Sequence, residues 1–260
     1  MNFDHPVLDR RSAPASGAQI RSIFSQLKPA AGETRHIALI GTYAPRKCGI
    51  ATFGTDVFEK LAEFQPNIRV DIYALDDPKA PLDYQGIAGT IAYDDPAAYA
   101  RAARQINESG VDAVWLQHEY GIFGGPDGDM VCAFVDRLAA PLVLTLHTVL
   151  SEPSERQRAI LEHLLARASR VMVMSRHSRE MLIERYHAPR QLIEVIEHGA
   201  PDRPFAPSAA AKAAQGLEGR MVLTTFGLLG PGKGLEHVID ALPGILLHHP
   251  NVVYRIIGAT

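Results

Sequence analysis

Only two cysteines, Cys48 and Cys132, occur in 260 residues, and they form no Cys-x-x-Cys pair. With no leader-like segment at the start, the expectation is a cytoplasmic protein with reduced thiols rather than a disulfide scaffold. No apolar run reaches the roughly 18 residues that a membrane-spanning helix needs. Peripheral membrane contact stays open, because an interfacial helix leaves a weak trace in sequence. Charge of one sign is also lacking: 26 Lys and Arg stand against 29 Asp and Glu, a net of −3, with no basic cluster. Nucleic acid is therefore not an expected partner, since no broad field would attract a polyanion. There is no Gly-x-Ser-x-Gly elbow for a serine hydrolase. His118-Glu119 has no second histidine three residues on, so a zinc-hydrolase reading is weak and no metal is expected. Internal repeats and low-complexity tracts are absent as well.

What is present is an ordinary globular composition, 47% hydrophobic and 21% charged. Residues 1–34 mix Pro, Ser, Ala, Arg and Gly without a sustained period and read as a loosely packed arm. From His36 short apolar runs alternate with helical patterns. Strands are expected near 36–41, 69–74, 112–117, 142–146, 170–174 and 193–196, with a weaker one at Gly89 to Tyr93. Helices are expected at about 51–64, 96–108, 128–138, 154–168 and 176–187. This rhythm implies an α/β fold, a Rossmann-like, doubly wound parallel sheet covered on both faces, over residues 35–200. Residues 201–219 are small, polar and proline-rich and read as a linker. A second βαβ unit then occupies 220–260. Two strands leave faces and edges poorly covered, so either more chain follows in a longer form or this unit docks on the first sheet.

In open α/β sheets ligands gather outside the carboxyl ends of the strands. The loops there are unusual. The first strand leads into Gly41-Thr-Tyr-Ala-Pro-Arg-Lys-Cys-Gly-Ile-Ala-Thr-Phe53, where Gly49 opens a helix beside Arg46 and Lys47. A helix start favours an anionic group. His118-Glu119, His147-Thr148, Ser175-Arg176-His177-Ser178 and Glu197-His198-Gly199 follow other strands. One such histidine is usually a hydrogen-bonded structural residue; four loops carrying His, Glu or Arg at one edge point to a cleft. Ser175 and Ser178 read as helix caps rather than nucleophiles. Asp127-Gly-Asp129 looks like a metal motif of sugar transferases, but it precedes a helix and reads as its cap.

Residues 222–234, Val-Leu-Thr-Thr-Phe-Gly-Leu-Leu-Gly-Pro-Gly-Lys-Gly, run from an apolar strand into a glycine-rich turn with one lysine. Gly227, Gly230, Gly232 and Gly234 let backbone N–H groups approach a phosphate, and Lys233 adds a point charge. The spacing nearly matches a P-loop, but Gly234 stands where a Ser or Thr hydroxyl would hold magnesium. The next strand, Val252 to Ile257, supplies no aspartate. Both departures count against a nucleotide hydrolase.

Taken together, Gly41 to Phe53, Gln117-His-Glu-Tyr-Gly-Ile-Phe-Gly-Gly, Leu144-Thr-Leu-His-Thr, Met174-Ser-Arg-His-Ser, Ile196-Glu-His-Gly and Phe226-Gly-Leu-Leu-Gly-Pro-Gly-Lys-Gly resemble the family 4 glycosyltransferases of GT-B fold. The resemblance covers about 36–260, the whole acceptor-side domain and the opening of the donor-side domain. It implies retaining transfer of a sugar from a nucleotide diphosphate sugar to a hydroxyl of a carbohydrate or lipid-linked acceptor, in a cleft between two Rossmann-like domains and without a bound cofactor or metal. Residue by residue, it implies that Gly49, Gly227 and Lys233 bind the donor diphosphate, and that His147 sits beside the transferred sugar as the catalytic group. Arg46, His118, Glu119, Arg176 and His198 are expected around the acceptor or sugar cleft. Two departures stand out: Cys48 replaces the family's glycine before Gly49, and Leu228 replaces a frequent arginine. The family's glutamate-rich donor segment would lie beyond Thr260, so the 260-residue chain is expected to be a truncated form that binds donor poorly. Two other classes compete with the transferase: a noncatalytic Rossmann-like module that contacts a partner through the second unit, and a P-loop-like hydrolase.

Overall fold

The interior strand β1 (His36–Gly41) is flanked on both sides, and its sequence His-Ile-Ala-Leu-Ile-Gly is apolar on both faces because helices cover both. A computed structural model describes residues 35–200, 202, 204–227, 229–230 and 233–258. The expected arm over 1–34, and Leu228 and Gly232 of the glycine-rich turn, lie outside the described residues. Contacts divide the chain after Gly199 into two compact units.

In the first unit β1 is joined by β2 (Arg69–Asp76), β3 (Gly89–Ala92), β4 (Ala113–His118), β5 (Leu142–Leu146), β6 (Ala168–Val173) and β7 (Ile193–Val195). All pairs are parallel, in the order β3-β2-β1-β4-β5-β6-β7. This is the doubly wound sheet that the alternating pattern predicts, and the weak Gly89 run is indeed a strand. Order reverses between β1 and β4, so the loops leaving these two strands diverge and open a crevice at their carboxyl ends.

Side chains alternate between two cores. On one face Ile37, Leu39, Trp115, Val143 and Met172 pack with Phe53, Val57 and Leu61 of helix α1 (Gly49–Phe64). On the other, Ala38, Ile40, Leu116, Leu144 and Val173 pack with α2 (Pro96–Glu108), α3 (Met130–Val135) and α4 (Glu155–Arg167). Each helix buries one stripe: α2 turns inward Ala98, Tyr99, Ala102, Ala103 and Ile106, the spacing of a 3.6-residue period. The helix starts are set by short polar side chains. Asp95 accepts from the Ala97 amide at 2.9 Å, and Ser154 forms a reciprocal capping box with Gln157. Ser175 accepts from the Ser178 amide at 3.0 Å and caps α5 (Arg176–Tyr186).

One expected cap fails. Asp129 occupies the cap position of α3, but its side chain makes no capping bond, and Asp127 adopts a left-handed conformation with φ 55°. Helix α3 is also shorter than the expected 128–138, because 120–128 coil into two single 3-10 turns. The cause is close packing: a Cβ on Gly124 would run into the Tyr93 carbonyl, and one on Gly128 into the Tyr120 carbonyl.

The second unit holds α6 (Ser208–Ala213), β8 (Met221–Phe226), α7 (Leu235–His248) and β9 (Val252–Ile257), with β8 and β9 parallel. Helix α6 falls inside the stretch expected to be a plain linker; its Ser-Ala-Ala-Ala-Lys-Ala sequence is rich in the best helix former. Val252 is the one buried hydrophobic residue of this unit among those described.

Candidate active site

The candidate site of the first unit is built at the carboxyl ends of β4 and β5, next to the start of α1. Register pairs Gln117 with Thr145 and His118 with Leu146. Since alternate residues share a face, Gln117 and His147 emerge on the side of Trp115, whereas His118 points to the opposite side. His147 is half-buried just beyond β5. Its amide donates to the His118 carbonyl at 3.0 Å, continuing the sheet ladder by one bond, and its Nε2 lies 2.9 Å from Gln117 Oε1. The ring of Phe53, from the first turns of α1, meets the His147 imidazole edge-on at 5.1 Å and that of His198 at 5.2 Å. One aromatic side chain thus joins the loops after β5 and β7. His198 itself is exposed.

Burial, with His198 as a smaller electrostatic cause, pushes the His147 pKa down to about 4. His147 is therefore a neutral imidazole at neutral pH, able to share hydrogen bonds but carrying no charge.

Two of the expected cleft residues are held by the first unit's own scaffold. His118 is 1% exposed and stacks on Phe123 with ring centroids 5.9 Å apart, with Tyr120 edge-on at 4.9 Å. Neither of its ring nitrogens has a hydrogen-bond partner among the described residues. Burial, with His147 a smaller contribution, pushes its pKa down to about 3. The odd–even alternation of β4 turns His118 into the second core. Glu119 is tied into the loop scaffold: one carboxylate oxygen accepts from the Tyr120 amide at 3.0 Å and the other accepts a short bond from the Thr148 hydroxyl. That carboxylate clamps the loop after β4 to the loop after β5.

Other expected residues keep open surroundings. Gly49 is exposed at the first turn of α1, and a Cβ placed there would meet nothing within 4 Å. Among the described residues nothing requires a glycine at that point. Cys48 caps α1, its Sγ accepting from the Ala51 amide at 3.3 Å and lying 3.2 Å from the Thr42 hydroxyl. Arg46 is partly exposed in the same loop, and Arg176 is exposed at the start of α5. Neither guanidinium has a hydrogen-bond or salt-bridge partner among the described residues. The structure thus brings His147, His198 and Phe53 together and leaves Arg46, Gly49 and Arg176 at the same edge of the sheet.

In the second unit Gly227 has φ 135°, a conformation that side chains rarely adopt, and its amide donates to the Ile257 carbonyl at 3.0 Å. Lys233 is exposed, and Gly234 starts α7 with no side-chain cap, so the first amides of α7 point outward without a side-chain acceptor at the cap position. Among the described residues no group of three or more His, Cys, Asp or Glu could hold a metal ion, and no helix is long and apolar enough to cross a membrane.

Sequence reasoning gave no role to Gln117, Phe53 or Thr148. The first could have been found from strand parity: aligning the ends of the Trp115-Leu-Gln and Leu144-Thr-Leu-His runs puts Gln117 and His147 on one face.

Comparison with known proteins agrees with this architecture. The chain is 32% identical over 120 residues to a D-inositol 3-phosphate glycosyltransferase of Mycolicibacterium gilvum, covering 41% of this chain and 27% of that protein. A second D-inositol 3-phosphate glycosyltransferase, from Rhodococcus jostii, is 27% identical over 137 residues, covering 47% of this chain and 30% of that one. The chain thus spans less than a third of the length of the curated relatives it matches. Among solved structures, an α,α-trehalose-phosphate synthase (UDP-forming) of Burkholderia vietnamiensis superposes with a TM-score of 0.54 at 13% identity, over 86% of this chain and 64% of that one. At that identity the likeness speaks for the fold, a GT-B Rossmann-like domain. The Glycosyltransferase Family 4 profile matches residues 49–203, more than half of the chain and all of the loops from Gly49 to His198, and the protein belongs to that family.

Proposed function

We propose that this chain carries the acceptor-side domain and the first part of the donor-side domain of a retaining glycosyltransferase that uses a nucleotide diphosphate sugar. The observation that carries the reading is the edge of the first sheet, where a neutral His147, held by Gln117 and Phe53, stands with Gly49 at the start of α1. An exposed glycine that nothing among the described residues demands suits close approach of a ligand to the backbone. The positive end of α1, with Arg46 beside it, suits an anion such as a diphosphate. His147 would hydrogen-bond the transferred sugar, and Lys233 with the outward amides of α7 would hold the diphosphate from the donor side. Arg176 and His198 would meet the acceptor.

Relatives named for D-inositol 3-phosphate and a fold neighbour named as UDP-forming support a nucleotide donor and a hydroxyl acceptor of this kind. Cytoplasmic residence with peripheral membrane contact is compatible with a lipid-linked acceptor. The test is donor hydrolysis and sugar transfer with a panel of nucleotide sugars and acceptors, inositol 3-phosphate included, run on this chain and on any longer form. Transfer by the longer form, with the anomeric configuration retained, is the expected result. Silence from the longer form with every donor would overturn the reading.

A further inference from the structure

Gln117 is a polar side chain, 1% exposed, at the end of β4. On that face it stands opposite Thr145, whose hydroxyl is engaged by Trp115 Nε1 at 2.7 Å, beside the apolar cluster of Trp115, Val143 and Met172. Its Nε2 has no hydrogen-bond partner among the described residues. Leaving a buried donor unmatched is costly, so a leucine would serve the core better at this point. Among the described residues the side chain makes one polar contact, from Oε1 to His147 Nε2 at 2.9 Å.

The adjacent strand gives way to it. A Cβ on Gly41, the last residue of β1, would lie 2.9 Å from Gln117 Cβ and 3.1 Å from its Cγ, closer than carbon atoms pack. Gly41 and Gln117 directly follow Ile40 and Leu116, the last paired residues of β1 and β4, at the switch point of the sheet. Two positions thus forgo packing that the fold could have used, and both concessions converge on one imidazole nitrogen.

We propose that Gln117 is a positioning residue that fixes the ring orientation and tautomer of His147, and that Gly41 is there to make room for it. A carbonyl oxygen can only accept, so Nε2 of His147 carries the proton and Nδ1 keeps its lone pair. The exposed part of the ring is then a hydrogen-bond acceptor, suited to a sugar or acceptor hydroxyl and unsuited to a phosphate oxygen. Phe53 holds the ring from the α1 side. The other titratable groups around His147 are His118 on β4 and His198 after β7.

The inference rests on the proposed role of His147 for its meaning, yet its test needs no substrate. The 260-residue chain is labelled with 15N-histidine, His147 is assigned by its loss in His147→Gln, and the tautomer is read by NMR. The wild type is expected to show the Nε2–H form. Gln117→Leu should abolish that preference, and Gly41→Ala should weaken it. Gln117→Glu keeps an acceptor and adds charge, so it should keep the Nε2–H form and raise the His147 pKa by about one unit or more. A wild-type Nδ1–H form, a tautomer indifferent to Gln117→Leu, or an unmoved titration in Gln117→Glu would overturn the proposal. In a longer active form, Gln117→Leu should lower kcat with KM nearly unchanged. If the tautomer behaves as stated while no form transfers sugar, the functional reading fails and the positioning role stands.

Discussion

The two units of this chain present glycine-rich turns and cations at strand ends, but they rest on different foundations. In the first unit the site loops leave a seven-stranded sheet whose two faces are buried, with Trp115, Leu116, Leu144 and Val143 at most 1% exposed. In the second, β8 and β9 form a two-stranded sheet, and Phe226, Leu247 and Ile239 are 82%, 83% and 50% exposed. Buried area is what holds a backbone still, at roughly 25 cal/mol per Å² of apolar surface. A site on the first foundation can hold an imidazole to a fraction of an ångström, whereas Lys233 stands on the second with far less support.

The comparison breaks most readily through large-to-small substitutions. Trp115→Ala removes a ring that is 1% exposed and donates to Thr145 at 2.7 Å; it should cost about 3–5 kcal/mol in denaturant unfolding of the first unit. Leu247→Ala, on the exposed helix of the second unit, should change stability by less than about 0.5 kcal/mol. A large loss in Leu247→Ala would show that this face is packed in solution and would erase the contrast.

Acid sharpens the same contrast. His118 and His147 have folded pKa values near 3 and 4 against an ordinary 6.5, so the unfolded chain binds protons that the native first unit refuses. Stability of that unit should be full above about pH 6.5 and fall as pH drops towards 4 and then 3. His118→Phe keeps the stacked ring, removes both unmatched nitrogens and should flatten this slope; an unchanged slope, followed by thermal melts across pH, would contradict the burial of His118. Smaller still, Ser154→Ala opens the capping box of α4 and should cost about 1 kcal/mol. Lys233→Ala, like Leu247→Ala, is expected to change stability by no more than about 0.5 kcal/mol, while diphosphate binding measured by calorimetry on a longer form should weaken.

Much of the fold was legible in the sequence because its signals are local. Runs such as Val143-Leu-Thr-Leu and the cap at Ser175 mark strands and a helix start without reference to distant residues. The site was legible as a set of loops, but individual side chains were not. His118 and His147 look alike on paper, each following an apolar strand, yet one is enclosed by Tyr120 and Phe123 and the other held at the surface by Gln117. That difference lies in strand parity and register, which pair residues about 30 positions apart. The anchoring of Glu119 was not legible for a similar reason: its partner Thr148 belongs to another loop, and only the sheet brings them together.

The most direct measurement is the transfer rate of His147→Ala against the wild type in the longest form of the protein that shows activity, with unfolding followed in parallel. The account predicts a loss of about 100-fold or more in kcat with the fold retained, in line with removing a positioned polar group from a reacting centre. Transfer at the wild-type rate by a folded His147→Ala enzyme would contradict it.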